Sequence, residues 1–335
     1  MTEFSGLEYI LIAISNAFGM DKDLWEDRLD WATKKLRSRN RAGMYLLCEH
    51  ADEPLLMRNA INAYYDAIEG KPTGFLMSLD ATASGPQLLA CMMDCRVTAR
   101  QVNLINTGER NDCYTNMAKI MSKAIGYKLW RGDIKEALMT SFYGSRAEPK
   151  NVFGADTPEL EEFYKTRDSL FPGAVEAMQD IESCWDCTAL VHKWRLPDGH
   201  TAYVPVMETV DKRINLPDLG NASFTYRCDI NMPSDYSIPL IANVTHSVDG
   251  YVVREMTRRA AVQGFELLHI HDSFWASPNY MNQVRQNYND ILAEIAESDL
   301  LQSILRDITG DYGIILTKRN GNIAADIRQA EYSLS

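Results

Sequence analysis

The sequence predicts an α+β fold in which helices predominate and short strands are mixed among them. Stretches with apolar residues at helical spacing are mixed with short apolar or alternating runs, without a regular β-α-β alternation. Gly and Pro residues are scattered as turns, and no Gly/Ser linker or fixed-period repeat is present. With 335 residues, 46% of them hydrophobic, the chain can bury one extended core.

The elements follow from periodicity and from capping and breaking residues. Helices are predicted over residues 6–38, 55–68, 85–93, 112–125, 131–143, 173–194, 249–263 and 282–306. Gly144 is a good stop for the fifth of them. Two apolar runs, residues 74–80 and 267–277, are predicted as strands, and "TAYVPVME" with "SFTYRCDINM" is predicted as a β-hairpin or long loop.

Composition narrows the class of protein. No window approaches the roughly 18 uninterrupted apolar residues of a membrane span, and "MTEFSGLEYI" lacks the basic start of a signal peptide. The expectation is a cytoplasmic protein without a membrane partner. Among seven cysteines only Cys184 and Cys187 form a CxxC pair, with His192 nearby. A zinc site needs further ligands, so ordinary reduced thiols are the favoured interpretation and zinc the alternative.

The charge is unevenly distributed. The net charge of -12 argues against a non-specific nucleic-acid binder. Residues 96–150 nevertheless contain ten Lys and Arg against five Asp and Glu. If the protein contacts a polyanion, the contact is expected in that segment.

Two aspartates stand out in the predicted strands. Asp80 ends an apolar run, and Asp272 interrupts another between His271 and Ser273. A buried carboxylate is costly unless a positive group compensates it. Two such carboxylates converging across a sheet would hold two Mg²⁺ ions suited to phosphoryl transfer. Taken singly, each Asp is more simply explained as a turn or cap residue.

A stripe of functional side chains is predicted on the helix that begins at Arg131. Arg131, Lys135, Met139 and Tyr143 recur every four residues and so lie along one helical face. Two cations and an aromatic ring could bind a triphosphate and stack on a base or sugar. The alternative is a solvated charged face with a core tyrosine.

Four segments in order resemble the single-subunit, phage and mitochondrial type of DNA-directed RNA polymerase. "LDATASGPQ" is similar to that family's motif A, "RGDIKEALMTSFYGS" to its motif B, and "HSVDG" and "HIHDSF" to its late palm motifs. Weaker similarity runs from "LEYILIAISNAFG" to the last helix. The resemblance implies a right-hand polymerase with palm and fingers, a small palm sheet, and neither the thumb nor the family's amino-terminal domain.

The resemblance also implies roles for individual residues. Asp80 and Asp272 would be the metal ligands for two Mg²⁺ ions, with Asp272 at the tip of a palm hairpin and His271 beside it. The remaining catalytic and nucleotide-binding residues would be Arg131, Lys135, Met139 and Tyr143, with His246 near the sugar and, by a looser match, Tyr114 lining the site.

A preference for ribonucleotides is expected at position 85. Related DNA polymerases place a bulky acidic residue five positions after the motif A Asp, whereas this chain has Gly85, which cannot clash with a ribose. Tyr143 and His246 could then hydrogen-bond the 2′-hydroxyl, which penalises a deoxy substrate by leaving polar groups unpaired.

One polymerase core over residues 1–335 is the predicted domain organisation. The palm would comprise about 1–114 and 246–335, and the fingers about 115–245. A hairpin at about 201–232 matches the family's specificity loop in order, so Arg213 and Arg227 are candidate DNA contacts, a surface hairpin without DNA contact being the equal alternative.

The resemblance implies DNA template, nascent RNA and ribonucleoside triphosphates as partners. The DxxGR-type motif whose Arg reaches the active site has no counterpart before Asp80, where only "LRSRNRAG" occurs. One hypothesis is the catalytic subunit of a split, two-subunit phage polymerase in the host cytoplasm. The alternatives are a minimal stand-alone, primase-like polymerase on single-stranded template and a catalytically idle DNA-binding relative.

Overall fold

The computed structural model describes residues 1–235 and 237–335. This part of the chain is mostly helical with small antiparallel sheets, which confirms the predicted α+β class. None of its helices is long and apolar enough to cross a membrane. The helices are α1 (Gly6–Ser15), α2 (Trp25–Ser38), α3 (Arg41–Leu47), α4 (Pro54–Ile68), α5 (Ser84–Met92), α6 (Arg96–Gln101), α7 (Cys113–Ile125), α8 (Arg131–Ser141), α9 (Ala147–Phe153), α10 (Pro158–Leu170), α11 (Pro172–Ser183), α12 (Ile238–Gln263), α13 (Met281–Glu297), α14 (Leu300–Thr309) and α15 (Ala324–Arg328).

Short strands form three antiparallel sheets within the described residues. The strands are β1 (Met77–Asp80), β2 (Val191–Arg195), β3 (Thr201–Pro205), β4 (Met207–Leu216), β5 (Ala222–Asn231), β6 (Leu268–Ile270) and β7 (Ser273–Ala276). The largest sheet has the order β1-β7-β6, while β2 pairs with β3 and β4 with β5. Among the strands that the structure describes, the β1-β7 pair alone joins strands far apart in sequence, the other pairs being sequential neighbours.

The β6-β7 hairpin determines where Asp272 lies. Ile270 pairs with Ser273, so His271 and Asp272 form a two-residue loop. His271 has φ 54°, a left-handed conformation of the kind that tight hairpin turns require. The ladder continues into the loop, because the Ala81 N–H donates to the Asp272 carbonyl at 3.1 Å.

The main core surrounds helix α5. Every residue from Gly85 to Met92 is buried, between α11, α12 and α13. The buried Gln87 side chain accepts a hydrogen bond from the Tyr288 hydroxyl at 2.8 Å and donates to the Ser333 carbonyl at 3.1 Å. A second, smaller apolar cluster joins α1, α3 and α4. The first turn of α5 is thus rigidly held beside the end of β1.

Several predicted elements differ in the structure. Residues 267–277 are two strands joined by a tight turn rather than one strand, so Asp272 lies at the tip of a hairpin, as the resemblance implies. The predicted helix 173–194 ends at Ser183, and its last residues form β2. The predicted helix 249–263 begins at Ile238, and 282–306 divides into α13 and α14.

Two further predictions were partly wrong. The region 6–38 is interrupted by a π-helical segment, Asn16–Met20, where Gly19 has φ 113°. The hairpin partner of "SFTYRCDINM" is Met207–Leu216, whereas Thr201–Pro205 pairs with Val191–Arg195. Alternation alone could not distinguish these pairings, because all of these strands are at least half exposed and such strands specify their partners weakly.

Candidate active site

Two carboxylates meet at the end of the β1-β7 pair. Asp80 pairs with Ser273, the residue directly after Asp272, so both aspartates lie at the same end of the sheet. Asp272 is partly buried, but Asp80 is exposed, so the expectation of two buried carboxylates was wrong for Asp80. As the last residue of β1, Asp80 opens onto a cavity rather than onto the core.

The electrostatics of this end of the sheet disfavour several negative charges. Burial raises the pKa of Asp272, and the nearby Asp80 raises it further. Burial and the charge of Asp272 raise the pKa of Asp249 to about 6. His271 opposes both shifts, and Ser84 is a hydrogen-bond partner of Asp272. A bound cation would relieve this repulsion.

Helix α8 presents its stripe of side chains to the same cavity. Arg131, its first residue, donates to both carboxylate oxygens of Asp112, with Nε to Oδ2 at 2.5 Å and Nη2 to Oδ1 at 3.1 Å. Asp112 also caps α7, through the Tyr114 N–H. Lys135, one turn later, is exposed and has no ion pair with any residue that the structure describes. Lys135 is therefore the more available of the two cations.

Tyr143 follows the end of α8 and lies between two other elements. Its ring is tilted by 35° against the His246 imidazole, with 4.6 Å between the ring centroids. Burial raises the pKa of Tyr143, and a hydrogen bond with Ser84 opposes that shift. Partial desolvation and the neighbouring His271 lower the pKa of His246. Ser84 opposes the rise in the pKa of Asp272 as well, so it acts on both groups.

One cavity of about 700 Å³ collects the predicted catalytic and nucleotide-binding residues. These are Asp80, Gly85, Tyr114, Arg131, Lys135, Met139, Tyr143, His246, His271 and Asp272. Arg213 and Arg227 do not line it. Both lie on one face of the exposed β4-β5 hairpin, where Arg213 donates to the Ser223 hydroxyl at 2.9 Å and Arg227 pairs with Asp211 at 3.1 Å.

The cavity also contains residues that the sequence did not single out. They include Asp21, Lys22, Ser84, Arg110, Asp112, Asp249 and Ser335. A signal existed for Asp249, which stands three residues after His246 and so shares a helical face with it. Because the helix was predicted to begin at 249 rather than at Ile238, that relation was missed.

A preformed cage for a metal is not found in the described residues, since no group of three or more His, Cys, Asp or Glu side chains converges there. The CxxC pair, Cys184 and Cys187, is likewise not part of such a group in the described residues. Cys184 is half-buried, Cys187 is exposed, and both are free thiols. His192 instead stacks on Trp185, with 4.6 Å between ring centroids. The zinc alternative has no support in this geometry.

Comparison with known proteins finds a family to which one part of the chain is similar. Residues 2–148 match the family model of DNA-dependent RNA polymerase, which confirms the resemblance for the part that contains Asp80, Lys135 and Tyr143. The segments around His246 and Asp272 lie outside that match.

A particular relative is a protein of Neurospora crassa described as "Probable DNA-directed RNA polymerase". It is 30% identical over 162 residues, covering 42% of this chain and 18% of the fungal protein. The chain thus spans less than a fifth of that relative's length.

Proposed function

We propose that this chain is the catalytic core of a DNA-templated RNA polymerase that transfers nucleotidyl groups from ribonucleoside triphosphates to growing RNA. One observation carries the proposal: Asp80 and Asp272 face the cationic and aromatic stripe of α8 across one cavity. In this proposal residues 1–114 and 246–335 form the palm and 115–245 the fingers. The match of residues 2–148 to the polymerase family supports it.

Two Mg²⁺ ions are proposed to bind at Asp80 and Asp272. Magnesium in phosphoryl-transfer sites is held by one or two carboxylates together with water and substrate phosphates, so a cage of three side chains is not needed. When bound, the ions would polarise the attacking hydroxyl and stabilise the leaving oxygen. The raised pKa of Asp272 fits this proposal, because its unfavourable negative charge would gain a partner.

The protein side chains are proposed to hold and orient the nucleotide. Lys135 would neutralise the triphosphate, and the unpaired Nη1 of Arg131 would donate to it. The paired rings of Tyr143 and His246 would lie against the sugar and hydrogen-bond its 2′-hydroxyl. Holding the reactants in this geometry is the main contribution that a polymerase site makes to rate.

The β4-β5 hairpin is proposed to contact DNA through Arg213 and Arg227. Both side chains are exposed and lie on one face of the ribbon, which is the arrangement that a groove or a phosphate row requires. Their partners, Ser223 and Asp211, are also exposed and could be exchanged for phosphate.

A second polypeptide is proposed to complete the template-binding surface, as in a heterodimeric phage enzyme working in the host cytoplasm. The support is the net charge of -12, since a nucleic-acid groove needs a broader basic surface than this chain offers. The competing proposal is a stand-alone, primase-like enzyme. Activity of the purified chain alone decides between them.

The test is extension of an RNA primer on a DNA template by the purified chain with Mg²⁺. We expect ribonucleotide addition that falls at least about 10³-fold in Asp80→Asn and Asp272→Asn, as loss of metal stabilisation predicts. Asp133→Asn is the matched control, because this exposed α8 carboxylate does not line the cavity.

Extension that survives both substitutions would remove the two-metal proposal. A folded chain that binds Mg²⁺ and nucleotide but extends only after a second polypeptide is added would establish the two-subunit enzyme. A chain that binds neither would be an idle relative.

A further inference from the structure

Arg110 is an arginine inside the cavity that no motif predicts. It stands in the loop between α6 and α7 and contributes to the cavity lining. The base of this loop is clamped by two reciprocal hydrogen bonds, from the Asn103 amide to the Asn111 carbonyl at 2.9 Å and from the Asn111 N–H to the Asn103 side chain at 2.7 Å. The position of Arg110 is therefore defined by the fold.

The guanidinium of Arg110 is connected to Asp80 through one residue. Its Nε donates to the Ser335 hydroxyl at 2.8 Å, and the Ser335 N–H donates to the Asp80 carbonyl at 3.0 Å. A guanidinium has five N–H donors, so this contact leaves four for a ligand in the cavity.

Arg110 lacks the direct carboxylate partner that Arg131 has. Arg131 has a bidentate partner in Asp112, whereas Arg110 forms no ion pair with any residue in 1–235 or 237–335. Burial lowers the pKa of Arg110, the charges of Asp21 and Asp112 partly oppose that shift, and the smaller effect of Arg131 adds to it. A partly buried cation without a direct anionic partner is costly, so an anionic ligand would be bound favourably.

We propose that Arg110 binds a phosphate group of the nucleotide or nucleic-acid strand held in this cavity. The planar guanidinium suits two-point binding to phosphate oxygens, while Lys135 acts on the same cavity as a point charge. This inference rests on the proposed function and deepens it. It places a second available phosphate-binding cation within this chain, so a partner polypeptide is not needed to supply one.

The test measures the affinities of wild type, Arg110→Gln and Arg110→Lys for three phosphate-containing ligands. Catalysis is not needed for this measurement. The probes are a non-hydrolysable ribonucleoside triphosphate, a fluorescent single-stranded oligonucleotide and inorganic triphosphate. We expect Arg110→Gln to weaken at least one of them about 10- to 100-fold, and Arg110→Lys to weaken it less. If the strand is the ligand, the slope of log affinity against log salt concentration should become shallower by about one unit in Arg110→Gln.

Two controls separate phosphate binding from a structural role. Arg100→Gln removes an exposed arginine from the same segment, outside the cavity, and should leave all three affinities unchanged. Ser335→Ala removes the hydrogen bond of Arg110 but keeps its charge, so binding should persist.

The outcomes also separate this inference from the proposed function. A loss confined to the nucleotide identifies the triphosphate as the ligand, and a loss confined to the oligonucleotide identifies the strand. Weakened binding of inorganic triphosphate supports the inference even in a chain that does not polymerise. Equal affinities of wild type and Arg110→Gln for all three probes would overturn it, even in an active polymerase.

Discussion

Tyr143 rests directly on Gly85. A Cβ atom on residue 85 would lie 3.2 Å from the Tyr143 hydroxyl oxygen and 3.3 Å from its Cζ. The space above Gly85 is therefore occupied by the tyrosine, not simply left open for a ribose. Glycine at this position lets Tyr143 approach the first turn of α5 closely.

Substitution of Gly85 should consequently act through Tyr143. Gly85→Ala requires the ring to move by a few tenths of an ångström and is expected to cost about 1 kcal/mol of stability. Gly85→Glu should displace the ring and reduce the preference for ribo- over deoxynucleotides about tenfold or more. Competitive incorporation of the two nucleotides measures this ratio. A ratio unchanged in Gly85→Glu would show that the contact does not select the sugar.

Removal of Lys135 should weaken use of the nucleotide. Because a charged hydrogen bond contributes about 1.5 to 3 kcal/mol, kcat/KM for ribonucleotides is expected to fall about 10- to 100-fold in Lys135→Gln. Lys123→Gln is a suitable control, since Lys123 is exposed on the preceding helix and outside the cavity. Steady-state kinetics compares the two. An equal fall in kcat/KM in the two variants would show that Lys135 contributes only to the general surface charge.

Asp249 should make the metal-free protein less stable as pH rises. Its pKa is raised from 3.8 to about 6, so the folded state keeps a proton that the unfolded state has lost between these values. The stabilising effect of protonation is complete below about pH 4 and is lost as pH rises through about 6. Asp249→Asn should therefore be more stable than wild type at pH 8, by up to about 3 kcal/mol, and similar at pH 4.

Denaturant unfolding at the two pH values checks this expectation. Glu49→Gln, which removes an exposed carboxylate, should show no such pH-dependent gain. Added Mg²⁺ should reduce the advantage of Asp249→Asn, because a nearby cation favours the ionised wild-type side chain. A pH-independent difference would mean that Asp249 is not protonated in the folded state.

The candidate site was more predictable than the loops that complete it. A four-residue period places Arg131, Lys135 and Met139 on one face of any α-helix, and the structure shows them facing one cavity. Asp80 and Asp272 could be predicted to act together, because Asp80 ends one apolar run and Asp272 interrupts another. The exposure of Asp80 could not be foreseen, since it depends on the cavity that α8 and α12 close around the strand end.

Arg110 was not predictable for a different reason. Its loop has no periodic pattern, and its path depends on the side chains of Asn103 and Asn111. Its direct contact, Ser335, lies at the far end of the sequence. Local propensity carries no information about such a contact, and only the assembled fold brings the two together.

Residues 332–335 are hydrogen-bonded to the residues at the end of β1, and this has a consequence for the order of folding. Ala81 bridges to Leu334, and the Thr82 hydroxyl donates to the Tyr332 carbonyl, 250 positions away. These contacts close a very long loop, whose entropy must be lost before the strand end is secured. On the ribosome Asp80 emerges before residues 332–335, so the surroundings of the strand end are completed only after those residues are also free to fold. The end of β1 should therefore be among the last parts of the fold to become ordered.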